Sequence, residues 1–300
     1  MTTETDPNVV TVSSLICHRD VPMALKCLGS MQSKCQESIQ FILHDDGSLQ
    51  DEDVALLTES LRSPTIIKKQ ESDERMADVL HKYPFSSAFR ASNIFAKKLF
   101  DPIFFNNSDN FAYCDTDVYF FRPFLNPFVL PDKNVYALFL KDPIHPYSIR
   151  VRDFSSSNLK PIQHVNAGMV CFRRSYYDLD FVEWLLSQEI IYSKPYLIEQ
   201  TIWAALGQKV SCRLWDASQM VFMTPSVRPN ETMVAGHFVS PSRYLLQQYM
   251  EEKMSISIGQ PAKIKTTKSK LCRPVDLVWM MTKSEVRRRL NVKKVQKAMY

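Results

Sequence analysis

Apolar and polar positions in the N-terminal part of the chain fall into blocks of two alternating periods. "VVTVSSLICH" is rich in β-branched and apolar residues and reads as a buried first strand. "DVPMALKCLGSMQSKC" has helical spacing, with Asp20 at the N-cap and Pro22 in the first turn. "SIQFILHDDGS" predicts a second strand ending in a polar turn at Asp45, Asp46, Gly47 and Ser48. "QDEDVALLTESLRS", acidic at its start and amphipathic after it, predicts a second helix, and "PTIIKK" a third strand. Strand, helix, strand, helix, strand is the opening of a doubly wound α/β sheet.

"SSAFRASNIFAKKLF" is a further helical segment carrying Arg90, Lys97 and Lys98, and it leads into "FAYCDTDVYFF". Read as one strand, that run points Asp115 and Asp117 to the same side. Two like charges side by side are unfavourable unless something positive sits between them, so the pair asks for a cation. From Leu125 to Leu159 the chain is rich in proline, aromatic residues and serine and reads as long loops, with "RDFSSSNLK" a mobile one. "HVNAGMVCFRR" predicts a strand, and "DFVEWLLSQEIIYSKPYLIEQTIWAALGQ" two short helices around a loop. "MVAGHFVSPSRYLLQQYMEEK" predicts a short strand or turn at Gly236 and His237, then a helix.

Three hundred residues, 45% of them hydrophobic, suffice for one large α/β domain or two small ones. No apolar run approaches the roughly 18 residues needed to span a bilayer, and "MTTETDPNVV" is unlike a secretory signal, so the expected location is cytoplasmic. Seven cysteines without a CxxC pair fit reduced, buried thiols better than disulfides or a zinc site. The net charge of +5 hides an asymmetry: residues 259–300 carry twelve Lys/Arg against Asp276 and Glu285, a net of +10, leaving −5 for the rest. The expected organisation is therefore a body over 1–258 and a basic helical tail over 259–300. The tail's "DLVWMMTKSEVRRRLNVKKVQKAMY" reads either as a basic amphipathic helix on an anionic membrane surface or as a solvated helix packed on the body. Nucleic acid is disfavoured, because the body is acidic and no RNP or zinc motif accompanies the basic stretch.

Neither GxxxxGK[ST] nor GxGxxG occurs, so a bound phosphate needs another device. An Asp-x-Asp pair at a strand's carboxyl end supplies one by holding Mg²⁺ or Mn²⁺, which keep coordination positions open for diphosphate oxygens. A histidine such as His237 favours Mn²⁺. Of six glycines, Gly47, Gly168 and Gly236 accompany the most polar points of otherwise apolar strands, where the backbone needs an unusual φ or a ligand needs close approach.

In motif order over roughly residues 10 to 250, the chain resembles the GT-A-fold glycosyltransferases, in particular the glycogenin-like and lipopolysaccharide galactosyl- and glucosyltransferase group. The resemblance implies a GT-A, Rossmann-like, doubly wound mixed α/β sheet. "DDGS" is similar to the nucleoside-binding turn, which implies Asp45 or Asp46 on base or ribose. "YCDTD" resembles the DxD motif, with Asp115 and Asp117 as metal and diphosphate ligands, and Arg90 matches the basic position that approaches the donor. "VNAGM" resembles the motif in which Asn166, Ala167 and Gly168 line the donor sugar. "IEQTIW" stands where the family carries Asp-Gln, implying Glu199 and Gln200 beside the sugar hydroxyls and anomeric carbon. "GHF" resembles the late histidine that completes the metal shell, giving His237 that role. Glu199 departs from the usual aspartate, and "SPSRY" replaces the usual Lys-Pro-Trp, leaving Arg243 as a stand-in for the missing phosphate charge.

The implied activity is Mn²⁺- or Mg²⁺-assisted transfer from a nucleotide-diphosphate sugar, a UDP-sugar first, to a glycan or glycolipid acceptor, at the inner membrane face if the tail binds there. The glycogenin-like group is retaining; the residues leave the stereochemistry open. Two other readings stand beside it. A haloacid-dehalogenase-like phosphatase also uses Asp-x-Asp, but after its first strand, whereas this pair lies past residue 110. A non-catalytic membrane-surface adaptor keeping a relic sugar-nucleotide fold would work through the basic tail.

Overall fold

A computed structural model of the chain describes residues 9–144, 147–149, 159–192, 194–251, 260–273, 275, 276 and 278. The first five elements follow the predicted order: β1 (Val9–Ile16), α1 (Val21–Lys34), β2 (Ser38–Asp45), α2 (Asp51–Ser60) and β3 (Thr65–Ile67). Helices α3 (Lys69–Leu80), α4 (Pro84–Ser92) and α5 (Ala96–Phe105) come next, then strands β4 (Asn110–Cys114), β5 (Val118–Phe120), β6 (Phe124–Leu125), β7 (Ala137–Lys141) and β8 (Val165–Arg173). Helices α6 (Leu179–Leu186) and α7 (Ile198–Lys209) precede β9 (Cys212–Trp215), β10 (Met220–Phe222) and β11 (Ala235–His237). Helix α8 (Arg243–Glu251), β12 (Ala262–Lys263) and β13 (Thr266–Lys268) complete the described elements.

Eight strands form one mixed sheet in the order β13-β9-β7-β8-β4-β1-β2-β3. The run β4, β1, β2, β3 is parallel, β8 lies antiparallel between β4 and β7, and β9 runs parallel to β7. Because β1 has β2 on one side and β4 on the other, the chain reverses direction across the sheet there, and crevices at such switch points hold ligands in open α/β sheets. A second, three-stranded sheet is ordered β10-β11-β5.

Strand alternation divides the core between the two faces of the main sheet. On β4, Phe111 and Tyr113 join a buried cluster with Met76, Phe89, Phe100, Leu185 and Trp203 from α3 to α7. Ala112 and Cys114 face the other way, onto Leu28 and Met31 of α1 and Leu57 of α2. All seven cysteines are free thiols and most are buried, as the sequence predicts. Among the described residues no helix is long and apolar enough to cross a membrane.

Several expectations are corrected. The segment read as one helix over Arg90 to Lys98 breaks at Asn93, whose side-chain oxygen takes the Phe95 N–H at 3.0 Å, a local bond that competes with helix continuation. Helix α3 carries few apolar positions and has no counterpart in the sequence reading. Strand β7 lies inside the segment read as loops; its five residues are too few to show a period, and four of them are buried. Asp20 stands at the N-cap of α1 but makes no side-chain cap bond. Residues 260–273 are not helical: β12 pairs with β6, and β13 adds an antiparallel edge strand to β9. The proposed amphipathic helix lies outside the described residues except for positions 276 and 278, and so do residues 152–158 of the predicted mobile loop.

His44, at 2% exposure in β2, packs edge-on against Phe105 with neither ring nitrogen hydrogen-bonded. Burial pushes its pKa down to about 4, with Lys97 and Arg90 adding to the effect and Asp101 opposing it. The unfolded state, with a histidine near pH 6.5, therefore binds the proton more readily, and stability falls as the pH drops from about 6.5 to 4. This one residue is expected to remove on the order of 3 kcal/mol over that window. Urea titrations at stepped pH should show the slope flattened in His44→Met.

Candidate functional site

The run read as a single strand through the acidic pair is two strands in two sheets. Strand β4 ends at Cys114, the chain turns through Asp115, Thr116 and Asp117, and β5 begins at Val118. Two hydrogen bonds shape the turn: the Asp115 N–H donates to the Gly168 carbonyl at 2.7 Å, and the Val118 N–H returns to the Asp115 carbonyl at 3.4 Å. Strand β5 then pairs antiparallel with β11, which sets His237 opposite Val118. The turn, not strand alternation, thus gathers Asp115, Asp117 and His237, whose ligating atoms all lie within 4.8 Å of one another.

His237 Nε2 is 3.1 Å from Asp117 Oδ1 and 3.9 Å from Asp115 Oδ2. Asp117 Oδ1 and His237 Nδ1 are buried without an aligned hydrogen-bond partner. Two carboxylates and an imidazole converging with spare ligand atoms fit a divalent cation. Burial works against charge on both Asp117 and His237, but their mutual attraction, with Arg243 beside Asp117, wins: the Asp117 pKa is lowered and that of His237 raised.

The basic group on Asp115 is Lys98, whose place on the helix was expected but to which no role was assigned. Its ammonium, on a 9%-exposed side chain, reaches Asp115 at 2.8 Å, and Tyr113 donates its hydroxyl to the same carboxylate at 2.8 Å. Burial lowers the Lys98 pKa, but Asp115 and then Glu199 outweigh it, so the amine stays charged. Arg90 is committed elsewhere. It grips buried Asp101 through two bonds of 2.7 and 2.9 Å and Asp73 at 2.8 Å, tying α3, α4 and α5 together.

Asn166, Ala167 and Gly168 sit where β8 loses register with β7: Phe139 pairs with Val170, but the next residue, Leu140, pairs with Asn166. Asn166 donates to Asp142 at 3.0 Å and accepts the Gly168 N–H at 2.9 Å, which fixes the arch. A Cβ on Gly168 would lie 2.2 Å from His237 Cε1, so only glycine lets the imidazole lie against the strand. From the first turn of α7, Gln200 accepts the Ala167 N–H at 3.3 Å, while Glu199 is 5% exposed with Oε1 unpartnered. Burial, with Asp115 adding to it and Lys98 opposing, raises the Glu199 pKa to about 7. At the end of β2, Asp45 accepts from the Gly47 and Leu49 N–H groups at 2.7 and 3.2 Å, and Asp46 from the Ser48 N–H at 2.9 Å. Gly47 has φ +104°, a left-handed conformation that suits glycine.

No family model and no curated protein sequence matches the chain. Solved structures do. Mouse xyloside xylosyltransferase 1 in its apo form aligns with a TM-score of 0.55 at 11% identity, over 78% of this chain and 99% of that one. The galactosyltransferase LgtC in complex with donor and acceptor sugar analogs aligns with a TM-score of 0.53 at 13% identity, over 81% of this chain and 94% of that one. The apo form of the glycosyltransferase GlyE of Streptococcus pneumoniae gives 0.51 at 12% identity, over 84% and 65%. The fold is GT-A. In this GT-A fold the acidic turn follows β4 and the Asp45–Gly47 turn follows β2, with β1 parallel to both between them, so both turns leave the same edge of the sheet.

Gly168→Ala is expected to destabilise the protein by about 1–3 kcal/mol, because the imidazole must leave its seat; urea denaturation measures it. Glu199→Gln is expected to act in the opposite sense. A carboxyl whose folded pKa exceeds its unfolded one contributes stability below about pH 4.5 that is lost as the pH rises through 7. Melting temperatures in EDTA should therefore be higher for Glu199→Gln than for wild type at pH 8 and nearly equal at pH 4.

Proposed function

We propose that this protein is a divalent-metal-dependent glycosyltransferase that moves a sugar from a nucleotide-diphosphate donor, with UDP-sugars foremost, to a glycan or glycolipid. The observation that carries the reading is the meeting of Asp115, Asp117 and His237 next to the charges of Lys98 and Glu199 and the Asn166–Gly168 arch. The two carboxylates and the imidazole would hold Mn²⁺ or Mg²⁺. When bound, such an ion acts as a Lewis acid toward the charge that develops on a departing nucleoside diphosphate.

The protein's own groups supply the rest. Lys98 adds fixed positive charge at the diphosphate end in a site screened from water, where charge acts strongly. Asp45 and Asp46, beyond the neighbouring strand end, take base or ribose. Asn166 and Ala167 line the donor sugar, and Gln200 braces that arch from α7. LgtC offers a parallel, since one of its solved forms is an active-site mutant in which glutamate replaces glutamine. Glu199, with a pKa near neutrality, is suited to exchange a proton or to stabilise positive charge at the anomeric carbon. Retention of configuration, a hexose as the sugar, and a cytoplasmic protein resting on the inner membrane face through its basic tail complete the reading.

The test is thermal stability with and without Mn²⁺ across a panel of nucleoside diphosphates. A ligand at about 100 times its Kd adds roughly 2.7 kcal/mol to the native state, which appears as a rise of several degrees. A metal-dependent rise with UDP or GDP that disappears in Asp115→Asn and Asp117→Asn is the expected result. No rise with any nucleotide, together with binding to anionic vesicles, would replace this reading with the adaptor.

A further inference from the structure

Asp20 occupies the N-cap position of α1 but leaves the helix uncapped, giving up the stabilisation a cap bond supplies. Its carboxylate instead accepts from Arg243 Nη1 at 3.0 Å and from the exposed Arg19 at 3.1 Å. The other edge of the Arg243 guanidinium grips Asp117 Oδ2, with Nη2 at 2.9 Å and Nε at 3.1 Å. One planar cation therefore joins the β1–α1 corner to the acidic turn. The root of Arg243 is fixed, because α8 buries Leu245, Leu246 and Tyr249 in a cluster with Cys27, Met223 and Phe238. Its side chain is one-third exposed, so the guanidinium also faces solvent.

The charges in this cluster balance. Asp20, Asp115 and Asp117 touch Arg19, Lys98 and Arg243, so each carboxylate of the acidic pair already has a cation in contact and the pair offers no net negative charge to attract a metal ion alone. A nucleoside diphosphate brings the negative charge that is missing, and guanidinium forks match its oxygens. We propose that Arg243 is a built-in counter-ion that keeps Asp117 neutralised until the donor arrives, and that Asp20 holds it in place. The divalent cation and the nucleoside diphosphate then enter as a pair rather than one after the other. When they do, Asp20 keeps the guanidinium beside the site while its Asp117 edge turns to the diphosphate. The inference rests on the glycosyltransferase reading and adds the coupling of its two ligands.

Mn²⁺ binding followed by the electron paramagnetic resonance of the free ion tests it without any measure of turnover. Wild type should bind Mn²⁺ weakly alone and much more tightly with UDP. Arg243→Gln should bind Mn²⁺ alone on the order of tenfold more tightly, because a nearby positive charge has gone, and the Mn²⁺–UDP pair more weakly. Opposite signs in the two titrations are the signature, since mere damage to the site would weaken both. Arg243→Lys, which keeps the charge, should restore weak binding of Mn²⁺ alone. Asp20→Asn, which removes a negative charge but no metal ligand, should weaken Mn²⁺ binding further. Equal Mn²⁺ affinity in wild type and Arg243→Gln, or an unchanged affinity in Asp20→Asn, would overturn the inference alone. An absence of Mn²⁺ binding in every variant with every nucleotide would overturn the functional reading as well.

Discussion

The hydrogen bond from the Asp115 N–H to the Gly168 carbonyl sets the geometry on which the site depends. It closes β4 against β8 one residue past the last ladder pair, Cys114 with Met169, and so fixes where the main sheet stops. The chain then crosses to the second sheet, and the Phe238 N–H donates to the Asp117 carbonyl at 2.8 Å to lock β11 onto the same turn. Two sheets are thus riveted at three residues, and the side chains of those residues have few directions left to take. Gly168 serves twice, as acceptor to Asp115 and as the bare surface on which the imidazole lies.

The electrostatics follow from that confinement. Four groups of opposite preference share one region: Lys98 and His237 are driven toward the charged form, Asp117 stays ionised, and Glu199 is held near its midpoint. Glu199 and Lys98 both lie deep and both pKa values are raised, but the rise favours charge on Lys98, which has Asp115 in contact, and the neutral form of Glu199, whose Oε1 has no partner. Two titratable groups driven toward opposite charge states by neighbouring environments are a common physical basis for dividing acid–base and electrostatic roles.

Much of this is legible in the sequence alone. The alternation of strand and helix over the first seventy residues carried through to β3, because each segment has a clear period and a turn signal at its end. The residues of "YCDTD", "VNAGM", "IEQ" and "GHF" come together in space, although they lie in four separate stretches of the chain. What failed had physical causes. The acidic run looked like one strand because aromatic residues flank it on both sides, and it holds no glycine or proline to make the turn plain. Arg90 was placed at the donor by resemblance, and its ion pairs with Asp73 and Asp101 had no local signal because those partners are distant in sequence. Lys98 was visible as one half of a Lys-Lys pair, but only tertiary packing decides which lysine enters the site. Asp20 carried the signal of a helix cap, and a residue with the right chemistry for one partner was taken by another.

The outer strands of the main sheet are as telling as its centre. At one margin stands β3 with three residues, at the other β13 with Thr266, Thr267 and the exposed Lys268, while the longest and most apolar strands lie inside. A bare rim of unpaired amides beside such strands would invite another chain to add itself. Short rims, one of them ending in a charge, offer an incoming strand few bonds and a desolvation penalty. Residues 266–268 thus act as a selvedge, and what looked from composition like the start of an appendage is the border that keeps the woven sheet from fraying into its neighbours.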